Sequence, residues 1–153
     1  MQIAAIQGTS QIDYPGNVTT VIWTQGCNRR CEYCHNSYMI PIRPTEMQWK
    51  DAREFLYPRK GFIDAVLFSG GEPTIQDDLT DCMTEIKEMG LKVAMHTNGD
   101  GPEYRFAAPL CSYILLSHYD IEKIEIGKQA GELWLSTVVN VNGLWENKIE
   151  RAY

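Results

Sequence analysis

No apolar run in this sequence approaches the ~20 consecutive residues that cross a bilayer as a helix, so a helical membrane span is excluded. The opening, Met1-Gln2-Ile3-Ala4-Ala5-Ile6, has neither a basic n-region nor a long apolar stretch. No secretory leader is therefore expected, and the cytoplasm is the expected compartment. Positive charge is scarce: 14 Lys and Arg stand against 20 Asp and Glu, for a net charge of −6. A broad electrostatic grip on phosphates is not expected on that balance, nor is a nucleic acid as partner. There is no internal repeat, low-complexity tract or linker, and 153 residues suffice for one core but not two. A single domain over 1–153 is expected. The five cysteines form an odd set in a chain without a leader, which argues against a disulfide framework. Three of them crowd into the eight residues Cys27–Cys34, and metal binding is the better explanation.

Strands and helices alternate along the chain. Gln2–Ile6 predicts a short strand, and Asp13-Tyr14-Pro15-Gly16 is a strong turn signal. Val18–Thr24, rich in β-branched residues, predicts a buried strand that runs directly into the cysteines. Met47–Leu56 predicts a helix between Pro44-Thr45 and Pro58. Ala65–Phe68 is a second strong strand, and Asp78–Met89 an amphipathic helix capped by Gly90. Further strands are expected at Leu91–Met95, Tyr113–Leu116 and Leu133–Val141. Near-continuous apolar strands separated by helices imply a parallel sheet covered by helices. The expected fold is α/β, an open partial (βα) barrel with a mostly parallel sheet of about five or six strands. In such sheets function gathers at the carboxyl ends of the strands. Here the unusual residues fall on that edge four times in succession: the cysteine loop, Ser69–Pro73, His96–Gly99 and Ser117–Asp120.

The loop Cys27-Asn28-Arg29-Arg30-Cys31-Glu32-Tyr33-Cys34 offers three soft thiolates, which suit an iron–sulfur cluster or zinc. Structural zinc wants four closed ligands, commonly a CxxC pair from each of two loops. The spacing here is x3 then x2, and no second pair exists. His35 could supply a fourth ligand only with strain, because it adjoins Cys34. Three thiolates leave one iron of a cubane cluster without a protein ligand, an open position of the kind catalytic metal sites keep. Arg29 and Arg30 either offset the charge of such a cluster or face solvent. Cys82, on the apolar face of a helix, and Cys111 are expected to be structural, and Trp23, Trp49 and Trp134 to belong to the core.

Cys-x3-Cys-x2-Cys with Tyr33 before the third cysteine resembles the signature of the radical S-adenosylmethionine superfamily. Ser69-Gly70-Gly71-Glu72-Pro73 is similar to that superfamily's GGEP motif, and His96-Thr97-Asn98-Gly99 to a TNG motif on the next strand. Gly8–Gly16, Thr24–Asn28 and Cys34-His35-Asn36 resemble the glycyl-radical-enzyme activases, most closely those serving anaerobic ribonucleoside-triphosphate reductase.

The resemblance implies one 4Fe–4S cluster on Cys27, Cys31 and Cys34, with S-adenosyl-L-methionine chelated by the open iron. It implies one-electron cleavage of the sulfonium to a 5′-deoxyadenosyl radical, and hydrogen abstraction from a glycine of a partner glycyl radical enzyme. A flavodoxin- or ferredoxin-like protein would supply the electron. By the same resemblance Tyr33 meets the adenine through its main chain, and Gly70 and Gly71 let backbone approach the cofactor. Glu72 accepts from the cofactor's ammonium group, Asn98 contacts the methionyl or ribose end, and Pro73 and Thr97 belong to the same two motifs. His118 and Asp120, at the end of the fourth strand, are further candidates to line the cofactor pocket. Two departures stand out: His96 replaces an acid that activases often carry before TNG, and Ser117–Asp120 replaces an Asp-x-Lys pattern.

Three functions compete at this point. An activase acting on a protein backbone suits a short chain with little length to enclose a small substrate. A small-molecule radical enzyme such as a carboxy-deazaguanine synthase-like protein would need closure by another subunit. A structural zinc or electron-transfer module leaves GGEP and TNG without a role.

Overall fold

Valine, isoleucine and threonine crowd the pleated surface of β2 (Thr19–Thr24), and every residue of it except Trp23 is buried. Around it the computed structural model, which describes residues 1–153, builds one eight-stranded sheet. The other strands are β1 (Gln2–Ser10), β3 (Met47–Gln48), β4 (Ala65–Gly70), β5 (Lys92–Thr97), β6 (Tyr113–Leu116), β7 (Leu133–Val141) and β8 (Leu144–Arg151). Their spatial order is β3-β1-β2-β4-β5-β6-β7-β8. β2, β4, β5, β6 and β7 run parallel, while β1, β3 and β8 are antiparallel additions at the two edges. The fold is the expected α/β open sheet of mostly parallel strands.

Alternation along the strands gives the sheet two apolar faces. Ile22, Val66, Phe68, Val93, Met95, Ile114, Leu116 and Leu133 form one core with α1 (Trp49–Leu56) and α2 (Leu79–Glu88). α1 starts where Gln48 and Asp51 close a reciprocal capping box. On the other face Val21, Leu67, Ala94 and Tyr113 are covered by Tyr14. Its ring stacks on Tyr113 at 4.7 Å, and its hydroxyl lies 2.8 Å from Ser112 Oγ. The Asp13–Gly16 turn thus folds back over the amino-terminal end of the sheet. Further along the same face, toward the carboxyl ends, stand Ser69, His96, Leu115 and Ser136.

The sheet exceeds the expected strand number because three antiparallel elements carry weak signals. β1 continues to Ser10 with two register shifts against β2, and β3 has only two residues. β8 is wholly exposed and reads Leu-Trp-Glu-Asn-Lys-Ile-Glu-Arg, a composition poor in strand formers. Its marker was the Asn142-Gly143 pair, both at positive φ (52° and 83°), the chemistry of a two-residue hairpin turn. Two short helices, α3 (Tyr104–Ala107) and α4 (Ile121–Gly127), join the last parallel strands.

Candidate active site

The cysteine loop is anchored at its root before any thiol is reached. Gly26 N–H donates to the Met39 carbonyl at 2.7 Å, and Cys27 N–H to that of Ile40 at 2.9 Å. The buried Gln25 side chain donates to the carbonyls of Tyr38 and Pro41 at 3.2 and 2.7 Å. The end of β4 lies against this root: Gly71 N–H donates to Thr24 O at 3.0 Å and Glu72 N–H to Gly26 O at 2.8 Å. No side chain fits there. A Cβ on Gly70, at φ 109°, would lie 2.3 Å from Thr24 N, and one on Gly71 would lie 2.1 Å from Gly26 O. The chain's own packing therefore demands these two glycines. They line the cavity as well, but the requirement for them comes from the strand behind.

Glu72 joins two loops. It is 2% exposed, and its Oε1 accepts from Thr74 N–H at 3.1 Å, from Thr74 Oγ1 at 2.6 Å and from Thr97 Oγ1. Its Oε2 accepts from Asn98 N–H at 2.7 Å. Burial pushes the Glu72 carboxyl above its ordinary range, and these donors pull against that shift. Asn98 carries the connection onward, donating through Nδ2 to Asn28 Oδ1 at 2.9 Å and accepting Asp100 N–H at the same distance. Hydrogen bonds thus link the loops after β2, β4 and β5 into one unit.

Cys27, Cys31 and Cys34 line one cavity of about 200 Å³. All three are free and half-buried. Cys27 Sγ accepts from Arg29 N–H at 3.4 Å, and burial raises its thiol. His118 Nε2 lies 3.5 Å from Cys31 Sγ and 3.1 Å from the Tyr33 hydroxyl. Burial pushes His118 down, and it pushes Tyr33 up to about 12. Of the residues expected at the cofactor, Tyr33, Gly70, Gly71, Glu72, Thr97, Asn98 and His118 all border this cavity. Pro73 does not; it is buried at the start of a 3-10 turn.

The donor set fits an iron–sulfur cluster. Three soft thiols stand around one cavity. His35, the fourth ligand a zinc site would need, is exposed and outside the cavity. Cys82 and Cys111 lie in the apolar core, where burial raises both thiols, Cys111 to about 12.

Several contacts of the site carry no local sequence signal. Arg29 borders the cavity and pairs with Asp100, which also binds Lys123. Lys123 Nζ further donates to the carbonyls of Asn98 at 3.0 Å and His118 at 3.1 Å, tying the ends of β5 and β6 together. Asp120 does not enter the cavity and instead caps α4, accepting Lys123 N–H at 2.9 Å. His96 is in the cavity wall and hydrogen-bonds the Asp13 carbonyl through Nε2 at 3.1 Å. Burial lowers its pKa. His96 and Leu115 also border a second space of about 450 Å³ near Ile12, Trp134 and Ile149.

Residues 21–139 match the family model described as the radical SAM superfamily. A Methanocaldococcus jannaschii protein carrying the name glycyl-radical enzyme activating enzyme is 39% identical over 106 residues, 66% of this chain and 42% of its own length. The pyruvate formate-lyase-activating enzyme of Clostridium pasteurianum is 34% identical over 106 residues, covering 65% of this chain and 44% of that protein. The Staphylococcus aureus enzyme of the same name is 32% identical over 101 residues, 61% of this chain and 40% of its own. The chain thus spans about two fifths of the length of the curated relatives it matches. The crystal structure of QueE from Escherichia coli superimposes with a TM-score of 0.54 at 18% identity, over 86% of this chain and 67% of that one, a likeness of fold. With its family match running from β2 to β7 across the cysteine loop and both glycine-bearing turns, the chain belongs to the radical SAM superfamily.

Proposed function

We propose that this protein is a glycyl-radical-enzyme activating enzyme whose partner is an anaerobic ribonucleoside-triphosphate reductase. The observation that carries the proposal is the convergence of three free thiols, the Gly70-Gly71-Glu72 turn and Thr97-Asn98 on one cavity at the carboxyl edge of a parallel sheet. The names of the relatives support activation of a glycyl radical enzyme in general. The choice of reductase rests on the sequence resemblance.

Cys27, Cys31 and Cys34 would hold a 4Fe–4S cluster with one iron open to S-adenosylmethionine. When bound, that pair supplies one-electron cleavage of the sulfonium and a 5′-deoxyadenosyl radical that takes a glycine α-hydrogen. The chain's own residues prepare the place. Glu72 Oε1 is saturated by three donors from the chain, whereas Oε2 accepts one and keeps acceptor capacity for an ammonium group. Hydrogen bonds to Asn28 and Asp100 hold the Asn98 side chain, so it meets the cofactor already oriented. Arg29 places positive charge beside the thiolates and thereby stabilises a reduced, more negative centre. A flavodoxin- or ferredoxin-like donor delivers the electron, in a reducing cytoplasm where five free thiols persist.

The test is anaerobic reconstitution followed by mixing with the reductase, S-adenosylmethionine and a strong reductant. The expected result is 5′-deoxyadenosine together with a glycyl radical signal on the reductase. If 5′-deoxyadenosine forms but no glycyl radical develops, the activase assignment fails and a small-molecule substrate replaces it.

A further inference from the structure

β8 closes the sheet with nothing on its outer side. All eight of its residues are exposed, whereas the opposite edge is the two-residue β3. Proteins ordinarily blunt a long edge with charged side chains, proline, a bulge or a covering element. β8 uses the first of these, with Glu146, Lys148, Glu150 and Arg151, so only a strand of complementary charge can pair with it. β8 contains neither proline nor glycine and pairs with β7 in unbroken register from Leu144 to Arg151. Its apolar members are open to solvent: Leu144 is 70% exposed, Trp145 46% and Ile149 50%.

The hairpin fixes which backbone groups are spare. Val141 and Leu144 flank the two-residue turn, so Leu144, Glu146, Lys148 and Glu150 spend their N–H and C=O groups on β7. Those of Trp145, Asn147, Ile149 and Arg151 point to the open edge. A second strand must pair edge-facing residues with edge-facing residues, so for a symmetric antiparallel pair the two-fold axis passes through a residue. Centred on Lys148, lysine meets lysine and Glu146 meets Glu150; centred on Glu146, glutamate meets glutamate. Centred on Asn147, Glu146 stands opposite Lys148 twice, and Trp145 opposite Ile149 twice. Like charges directly opposite are unfavourable, and opposite charges and aromatic–β-branched pairs favourable. An axis through Ile149 also sets Lys148 against Glu150 but overlaps only residues 147–151 of β8, whereas the axis through Asn147 pairs residues 144–150 and is favoured.

We propose that β8 pairs antiparallel with β8 of a second copy of this chain about a two-fold axis through Asn147, joining two sheets into one. The interface borders the candidate site. The Trp145 ring lies 5.4 Å from that of Tyr33 in the cysteine loop, so Ile149 of the second copy packs against the residue that walls the loop. Asn147 is already oriented by its contact with Ser136 Oγ at 2.7 Å. The inference rests on the edge strand alone and does not depend on the radical chemistry.

Sedimentation equilibrium of the iron-free full chain tests it. The wild type is expected to be a dimer. Glu146→Lys and Lys148→Glu are each expected to weaken self-association about tenfold or more, since each sets like charges opposite one another twice. An equimolar mixture of the two single variants, and the double variant E146K/K148E, should both recover the dimer. Unchanged melting temperatures would show that these exposed substitutions leave the fold intact. A wild-type monomer at every concentration overturns the proposal, and so does a dimer that neither single variant weakens. Failure of the mixture to recover the dimer also overturns it, because complementarity in this register requires that rescue.

Discussion

Gly71→Ala isolates the contact between β4 and the cysteine loop. Gly71 is not among the glycines at positive φ, so alanine is permitted by the backbone and the penalty is one of space. The new Cβ would lie 2.1 Å from Gly26 O and 2.8 Å from Met39 O, both main-chain atoms that cannot swing aside. Relief requires the two segments to separate by about 1 Å, since ordinary carbon–oxygen contact is over 3 Å. That separation breaks the Glu72 N–H bond to Gly26 O and loosens the Gly26 N–H bond to Met39 O. Two hydrogen bonds contribute about 2 kcal/mol and forced overpacking adds about 1–3 kcal/mol, so the expected loss is about 3–5 kcal/mol. For a chain of this size that lowers the melting temperature by roughly 6–20 °C. Circular dichroism of the iron-free protein measures it, with Gly90→Ala as the comparison. Gly90 has a φ of 83° and no atom within 4 Å of the added Cβ, so only backbone strain of about 1–2 kcal/mol is expected there. Gly71→Ala should also take up less iron on reconstitution, because its damage is at the loop root. A Gly71→Ala protein that melts within about 2 °C of wild type would refute the packing argument.

Replacing any one of Cys27, Cys31 or Cys34 by serine should abolish the brown colour of the reconstituted protein. Because these thiols are half-buried, the iron-free variants should melt within about 2 °C of wild type. Lys123→Met should cost about 2 kcal/mol by leaving the carbonyls of Asn98 and His118 without their shared donor. It should also weaken S-adenosylmethionine binding, measured by equilibrium dialysis. His96 is buried with its pKa below the ordinary 6.5. The unfolded chain therefore binds the proton more readily, and the stability His96 contributes is present above pH 6.5 and lost as pH falls through its lowered value. Thermal melts of the iron-free protein between pH 7 and pH 5 should show this loss, and His96→Gln should flatten it.

Where chemistry and strand signals were local, the sequence was explicit. The three cysteines, GGEP and TNG each follow a strand whose apolar, β-branched residues mark it, and the parallel register brings those strand ends level. Other parts were hidden because their causes are distant in sequence. Nothing around Lys123 announces that it reaches the ends of β5 and β6, and nothing around Arg29 predicts a pairing 71 residues away. The need for Gly70 and Gly71 was legible as a glycine requirement, but its source, the backbone of Thr24 and Gly26, emerges only once β2 and β4 lie side by side. Pro73 belongs to the same motif yet does not border the cavity, because it starts the buried turn that Glu72 caps. β8 escaped notice because none of its residues is buried, which leaves no alternating pattern to detect.

On the proposed function, a cluster on Cys27, Cys31 and Cys34 keeps one iron open for a sulfonium cofactor. Electron–nuclear double resonance on the reduced, reconstituted protein with S-adenosylmethionine labelled at its amino nitrogen and carboxylate tests it most directly. Hyperfine coupling from both labels to the cluster is the predicted result. A cluster spectrum that the cofactor leaves unchanged, with no coupling to either label, would rule out an open iron that binds it.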